Sequence, residues 1–141
     1  MEDKLNVSVI LPVNSTKSKG FDEYFKNSIM SIQNQTTPVD EVVIVHSDEE
    51  SLVSYLNDFE FSGLTVNMVK NTGKTDFSSQ INLGVENAKN DWVSILEFDD
   101  EYATIWFKNV KRYIDAYSDV YGFLPLVVDV DDKGTFAGFT N

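Results

Sequence analysis

Trp92-Val-Ser-Ile-Leu-Glu-Phe-Asp-Asp-Glu101 runs from an apolar segment straight into four carboxylates within five residues. Trp92 to Leu96 reads as a short buried strand. Helix signals follow the acids. Thr104 can serve as N-cap, and Trp106, Phe107, Val110, Tyr113, Ile114 and Tyr117 recur at the spacing of an inward-facing stripe. A strand that ends in polar residues and then feeds a helix is one unit of an alternating α/β array. Whether the chain has that architecture depends on what precedes the unit.

Three similar units precede it. Val7-Ser-Val-Ile-Leu-Pro-Val13 is a nearly continuous apolar strand, with a small polar loop from Asn14 to Gly20. Phe21, Tyr24, Phe25, Ser28, Ile29 and Ile32 then mark an amphipathic helix, which the stretch from Gln33 to Asp40, containing Pro38, brings to an end. Glu41 to Val45 is the second strand. Ser47 and Glu50 have the spacing of a capping box before the stripe Leu52, Val53, Leu56 and Phe59. Leu64 to Val69 is a third strand, and Ser78 or Ser79 can cap a helix with Ile81, Val85 and Ala88 inside. Past the last helix, Tyr121 to Val130 reads as a fifth strand broken by Pro125. Asp131-Asp-Lys-Gly134 is turn chemistry, and Thr135 to Phe139 returns as a hairpin. This order predicts an α/β fold with a mainly parallel, doubly wound sheet and helices on both faces. The expected organisation is a single domain over residues 1–141.

Composition narrows the function. A net charge of −12 disfavours a nucleic-acid surface, and a phosphorylated ligand would need a bridging cation. The absence of cysteine rules out disulfides, thiolate ligands and cysteine nucleophiles, and fits a reducing, cytoplasmic location. The apolar run from Val7 to Val13 is too short to span a membrane and has an acidic flank, so no membrane segment is expected.

Ligands of doubly wound sheets bind beyond the carboxyl ends of the strands. That rule directs attention to Glu97-Phe-Asp-Asp-Glu101. Strand periodicity would set Glu97 and Asp99 on one face, with Asp100 at the turn. Such crowded carboxylates repel one another. A divalent cation with oxygen ligands, Mn²⁺ or Mg²⁺, relieves the repulsion. The competing reading is a solvated acidic turn that favours the start of the next helix.

Taken together, several pieces resemble glycosyltransferase family 2. They are Val7-Ser-Val-Ile-Leu-Pro-Val-Asn14, the helix Ser28-Ile-Met-Ser-Ile-Gln-Asn-Gln-Thr36, Asp40-Glu-Val-Val-Ile-Val45, Asn82-Leu-Gly84, and Ala88 to Asp100 leading into a D-x-D-like motif. The resemblance runs from Val7 to about Leu126. It implies a GT-A fold, a nucleotide-diphosphate sugar donor (most commonly a UDP-sugar), a divalent metal, and transfer to an acceptor hydroxyl whose identity the sequence leaves open. It also implies roles. Asp99 matches the acid that holds the metal against the diphosphate. Glu97 matches the first acid of the motif, near ribose and metal, and Asp100 stands beside them. Pro12, Val13 and Asn14 match the loop along the nucleotide, and Asn82 a helix position facing the donor. Asp48 is the acid nearest the position that reads the base.

This chain has Glu97 where the family usually has Asp, and Val13 where an aromatic often precedes the asparagine. No residue matches the family's catalytic base, and the part that binds acceptor is expected to be missing. A non-catalytic GT-A-like interaction module is therefore the alternative. Other motifs carry less. Gly73-Lys-Thr75 lacks the first glycine of a P-loop, because Met68 stands there. Asp129 to Gly134 has Lys133 where a calcium loop needs a ligand, so a hairpin turn is expected. His46, the one histidine, lacks a nucleophile elbow to serve.

Overall fold

The computed structural model describes residues 3–140. They form two compact units, divided between Lys111 and Arg112. In the first, β1 (Leu5–Val13), β2 (Val39–His46), β3 (Val66–Lys70) and β4 (Trp92–Ile95) make one parallel sheet in the order β3-β2-β1-β4. The central strands β1 and β2 are buried almost throughout, as their unbroken runs of Val, Ile and Leu require. β4 was expected to be buried. As an edge strand flanked only by β1 it is half exposed, with Ile95 at 48%.

From β1 the chain steps outward through β2 to β3 and then crosses back to β4 on the far side of β1. Right-handed crossovers in opposite directions put their helices on opposite faces. α1 (Phe21–Gln33) and α2 (Glu50–Asp58) share one face, where Phe25 meets Tyr55 and Phe59 edge-on, with ring centroids 5.5 and 5.0 Å apart. α3 (Phe77–Asn87) packs Ile81 and Leu83 over Ile10, Val43 and Val45 of β1 and β2. Val85, expected on the inner face, is exposed, and the closest approach is made by Gly84. A Cβ there would collide with Ile10 Cγ2 and lie 3.0 Å from Val45 Cγ2. The helix can seat this closely only because Gly84 has no side chain.

Three expected caps are replaced. Asp76, not Ser78 or Ser79, caps α3 by accepting from Ser79 N at 3.0 Å. α2 has Glu49 at its N-cap position, so the Ser47–Glu50 capping box does not form. α4 (Trp106–Ala116) begins two residues after Thr104, whose carbonyl accepts from Thr36 N at 2.9 Å. Phe107 and Val110 of α4 are buried, whereas Tyr113 and Tyr117 are exposed and stack on each other at 6.2 Å.

In the second unit only Val128–Val130 of the expected long strand is β structure (β5). It pairs antiparallel with β6 (Phe136–Phe139). Pro125 offers no N–H and restricts Leu124, which accounts for the irregular stretch before β5. Between the strands, Asp131 Oδ1 accepts from Lys133 N and Thr135 N, and Gly134 takes a left-handed φ of 74°. Asp129 to Gly134 is therefore a hairpin turn.

Candidate functional site

Parallel strands bring all their carboxyl ends to one edge of the sheet. Strand order reverses between β1 and β4, so the loops after these two strands flank the crevice where such folds take ligands. Pro12 and Val13 are the last residues of β1, buried and paired in register with Val45 and His46. Only their backbone is available at the edge. Asn14 follows them and is exposed.

Hydrogen bonds join the loops around this edge. Asn14 Nδ2 donates to the Thr75 carbonyl of the β3–α3 loop at 2.9 Å, and the Asn14 carbonyl accepts from Ser47 Oγ of the β2–α2 loop. Ser47 N donates to the Val13 carbonyl at 3.3 Å. Glu49 Oε1 accepts from Thr16 N and Thr16 Oγ1, both at 3.2 Å, and from Ser51 Oγ at 2.7 Å. Hydrogen bonds from Ser51, Ser15 and Thr16 hold its carboxyl down at about 2. Glu49 did not stand out in the sequence, and Thr75 stood out only within a P-loop-like triplet, because these bonds span segments far apart in the chain. Asp48 is exposed and forms an ion pair with Lys70 Nζ at 2.6 Å, across the ends of β2 and β3. Asn82 lies about 200° round α3 from Gly84, on the side turned from the sheet. The structure therefore gathers Asn14 and Asp48 at one edge and does not bring Asn82 in beside them.

The acids occupy a turn. β4 stops at Ile95, and Leu96 N still bonds to the Ile10 carbonyl at 3.0 Å. Asp100 N then closes onto the Glu97 carbonyl at 3.1 Å. Pleating does not extend through Glu97 and Asp99, so the turn sets their directions. Phe98 leaves the acids and packs on Phe21 of α1 at 5.4 Å. Glu97, Asp99 and Asp100 are exposed. Partial burial, with Asp100 and Asp99 nearby, raises the Glu97 carboxyl above its ordinary value. Among the described residues no three carboxylate or imidazole groups converge into a ready metal cage. An open depression of about 480 Å³, lined by Thr16, Gly20, Phe21, Asp22 and Tyr55, lies beside the β1–α1 loop, and the acidic turn is not part of its wall. No helix among the described residues is long and apolar enough to cross a membrane.

A parallel sheet wound on both faces, with an acidic turn at its reversal point, is a GT-A-type architecture. Residues 8–137 match the family described as Glycosyl transferase family 2, and the chain belongs to that family. Among solved structures, S. aureus TarS 1-349 superposes with a TM-score of 0.67 at 18% identity, over 81% of this chain and 33% of that one. TarS 1-349 in complex with UDP gives 0.63 at 18%, over the same shares of 81% and 33%. A further S. aureus TarS structure gives 0.57 at 22%, over 79% and 20%. The chain thus spans a third or less of these structures. No match was found among curated proteins.

Proposed function

We propose that the crevice between the β1 and β4 loops binds a nucleotide-diphosphate sugar, with a UDP-sugar as the expected donor, through Mn²⁺ or Mg²⁺. The chain then supplies the donor side of sugar transfer to an acceptor hydroxyl. The observation that carries this reading is the position of the Glu97–Asp100 turn at the strand-order reversal of a family 2 chain. The UDP complex of the structurally similar TarS supports the choice of nucleotide.

The residues suit a hard cation. Glu97, Asp99 and Asp100 offer only oxygen ligands; the Glu97 carboxyl is raised first by burial and then by Asp100 and Asp99, and a cation would relieve the repulsive part. Mg²⁺ characteristically takes one or two carboxylates together with substrate phosphates and waters, so a three-carboxylate cage is not needed. When bound, the cation supplies charge neutralisation for the departing diphosphate. Asp99 and Glu97 would hold it, with Asp100 alongside. The backbone of Pro12 and Val13 and the side chain of Asn14 line the nucleotide's path, on loops already fixed by Ser47 and Glu49. Asp48 flanks the base; Asn82, on the side of α3 turned from the sheet, takes no role in this arrangement. No residue is assigned as catalytic base.

The alternative is a non-catalytic module of the same fold. Calorimetric titration of UDP with and without Mn²⁺ separates the two. Donor binding predicts a Mn²⁺-dependent signal that Asp99→Ala abolishes while the far-UV spectrum stays unchanged. A silent titration of the wild-type chain with Mn²⁺ present leaves only the second reading.

A further inference from the structure

Ser28, Ser31 and Gln35 follow one another at helical spacing along α1 and just past its end, and all three are buried. Polar side chains on the core side of an amphipathic helix are unfavourable unless they are fully hydrogen-bonded. Here each of them bonds to the main chain of the segment that carries the acids. Ser28 Oγ donates to the Glu97 carbonyl at 3.4 Å, and Ser31 Oγ accepts from Tyr102 N at 3.1 Å. Gln35 does most: Nε2 donates to the Ser31 and Ala103 carbonyls, both at 2.9 Å, and Oε1 accepts from Phe107 N at 3.2 Å at the start of α4. On the other side of the loop, the Tyr102 hydroxyl lies 2.6 Å from Ser94 Oγ of β4.

We propose that Gln35 is a positioning residue for the acidic turn. Its amide fixes the downstream end of the Glu97–Ile105 loop, so that the turn carrying the carboxylates is held in place before any cation arrives. The inference rests on the donor-site reading and deepens it. Phe98 and Ser28 anchor the upstream end. Without a downstream anchor, repulsion among Glu97, Asp99, Asp100 and Glu101 would spread the loop. Cation binding would then have to gather and order it again, which lowers affinity.

The test uses Gln35→Met, close in volume but without the three hydrogen bonds, and Mn²⁺ with UDP as probe. Bound Mn²⁺ is read by electron paramagnetic resonance, and loop order by amide hydrogen exchange in metal-free protein. The expected result is about tenfold weaker Mn²⁺ binding, within the range for lost supporting partners of metal ligands, together with faster exchange at Tyr102 and Phe107. A folded variant with wild-type Mn²⁺ affinity overturns the inference, even if its melting temperature falls, because a merely structural residue would behave that way. If Gln35→Met does not fold, Ser31→Ala, which removes the acceptor for Tyr102 N together with the Ser31 Oγ bond to the Ser28 carbonyl, must weaken Mn²⁺ binding in the same direction. Failure of the wild-type chain to bind Mn²⁺ and UDP overturns the donor-site reading, and this inference with it. Wild-type binding that the variants leave unchanged overturns this inference alone.

Discussion

Glu97 is the residue at which charge and fold compete most directly. Burial first, then Asp100 and Asp99, raise its carboxyl above the ordinary glutamate value of 4.5. The folded chain therefore holds this proton more tightly than the unfolded chain does. The associated stability is fully present below pH 4.5 and is lost as pH rises through the raised value. Glu97→Gln should make the protein more stable at pH 7, by less than about 1 kcal/mol because the group is largely solvated. The gain should vanish in melts run below pH 4.5. A gain that persists at low pH would assign the effect to something other than ionisation. If Glu97 holds the proposed cation, protons compete with it there, so Mn²⁺ affinity should fall as pH descends through the same window, and Glu97→Gln should flatten that fall.

Among the elements, α3 shows what was legible in the sequence and what was not. Its existence and approximate span follow from apolar spacing between two strands, but its inner face does not. Counting apolar residues selects Val85 and misses Gly84, because periodicity registers side chains that fill space and cannot register one that must be absent. Gly84→Ala tests that contact. Pushing a methyl group into Ile10 should destabilise the chain by about 1–3 kcal/mol, the usual range for overpacking, outweighing alanine's better helix propensity of about 1 kcal/mol. Urea unfolding would show it, and an unchanged midpoint would mean that α3 can lift off the sheet without loss. The β1 and β2 strands were legible because central parallel strands are apolar on both faces. The half-exposed β4 was misread because four or five apolar residues look alike at an edge and at the centre. At the site, the acids announced themselves by composition. The Ser47–Asn14, Glu49–Thr16 and Gln35–Phe107 bonds did not, since they join residues 33 or more positions apart.

For the whole molecule, the decisive property is a net charge of −12. At about 0.01 M salt the screening length is about 30 Å, so the whole acidic surface acts on an approaching ligand; at about 0.15 M it is about 8 Å and only near neighbours matter. A phosphate site built from basic residues loses affinity as salt rises. Here the two components of the proposed ligand should respond in opposite directions. Mn²⁺ alone is attracted by the field, so its binding should weaken as NaCl is raised at constant pH. UDP without metal is repelled, so its residual binding should strengthen, or at least not decline, over the same range. Calorimetry of each component across a salt series measures both slopes. If metal-free UDP bound tightly and lost affinity with salt, positive groups on the protein would be holding the diphosphate directly. The cation would then have no bridging role at the Glu97–Asp100 turn.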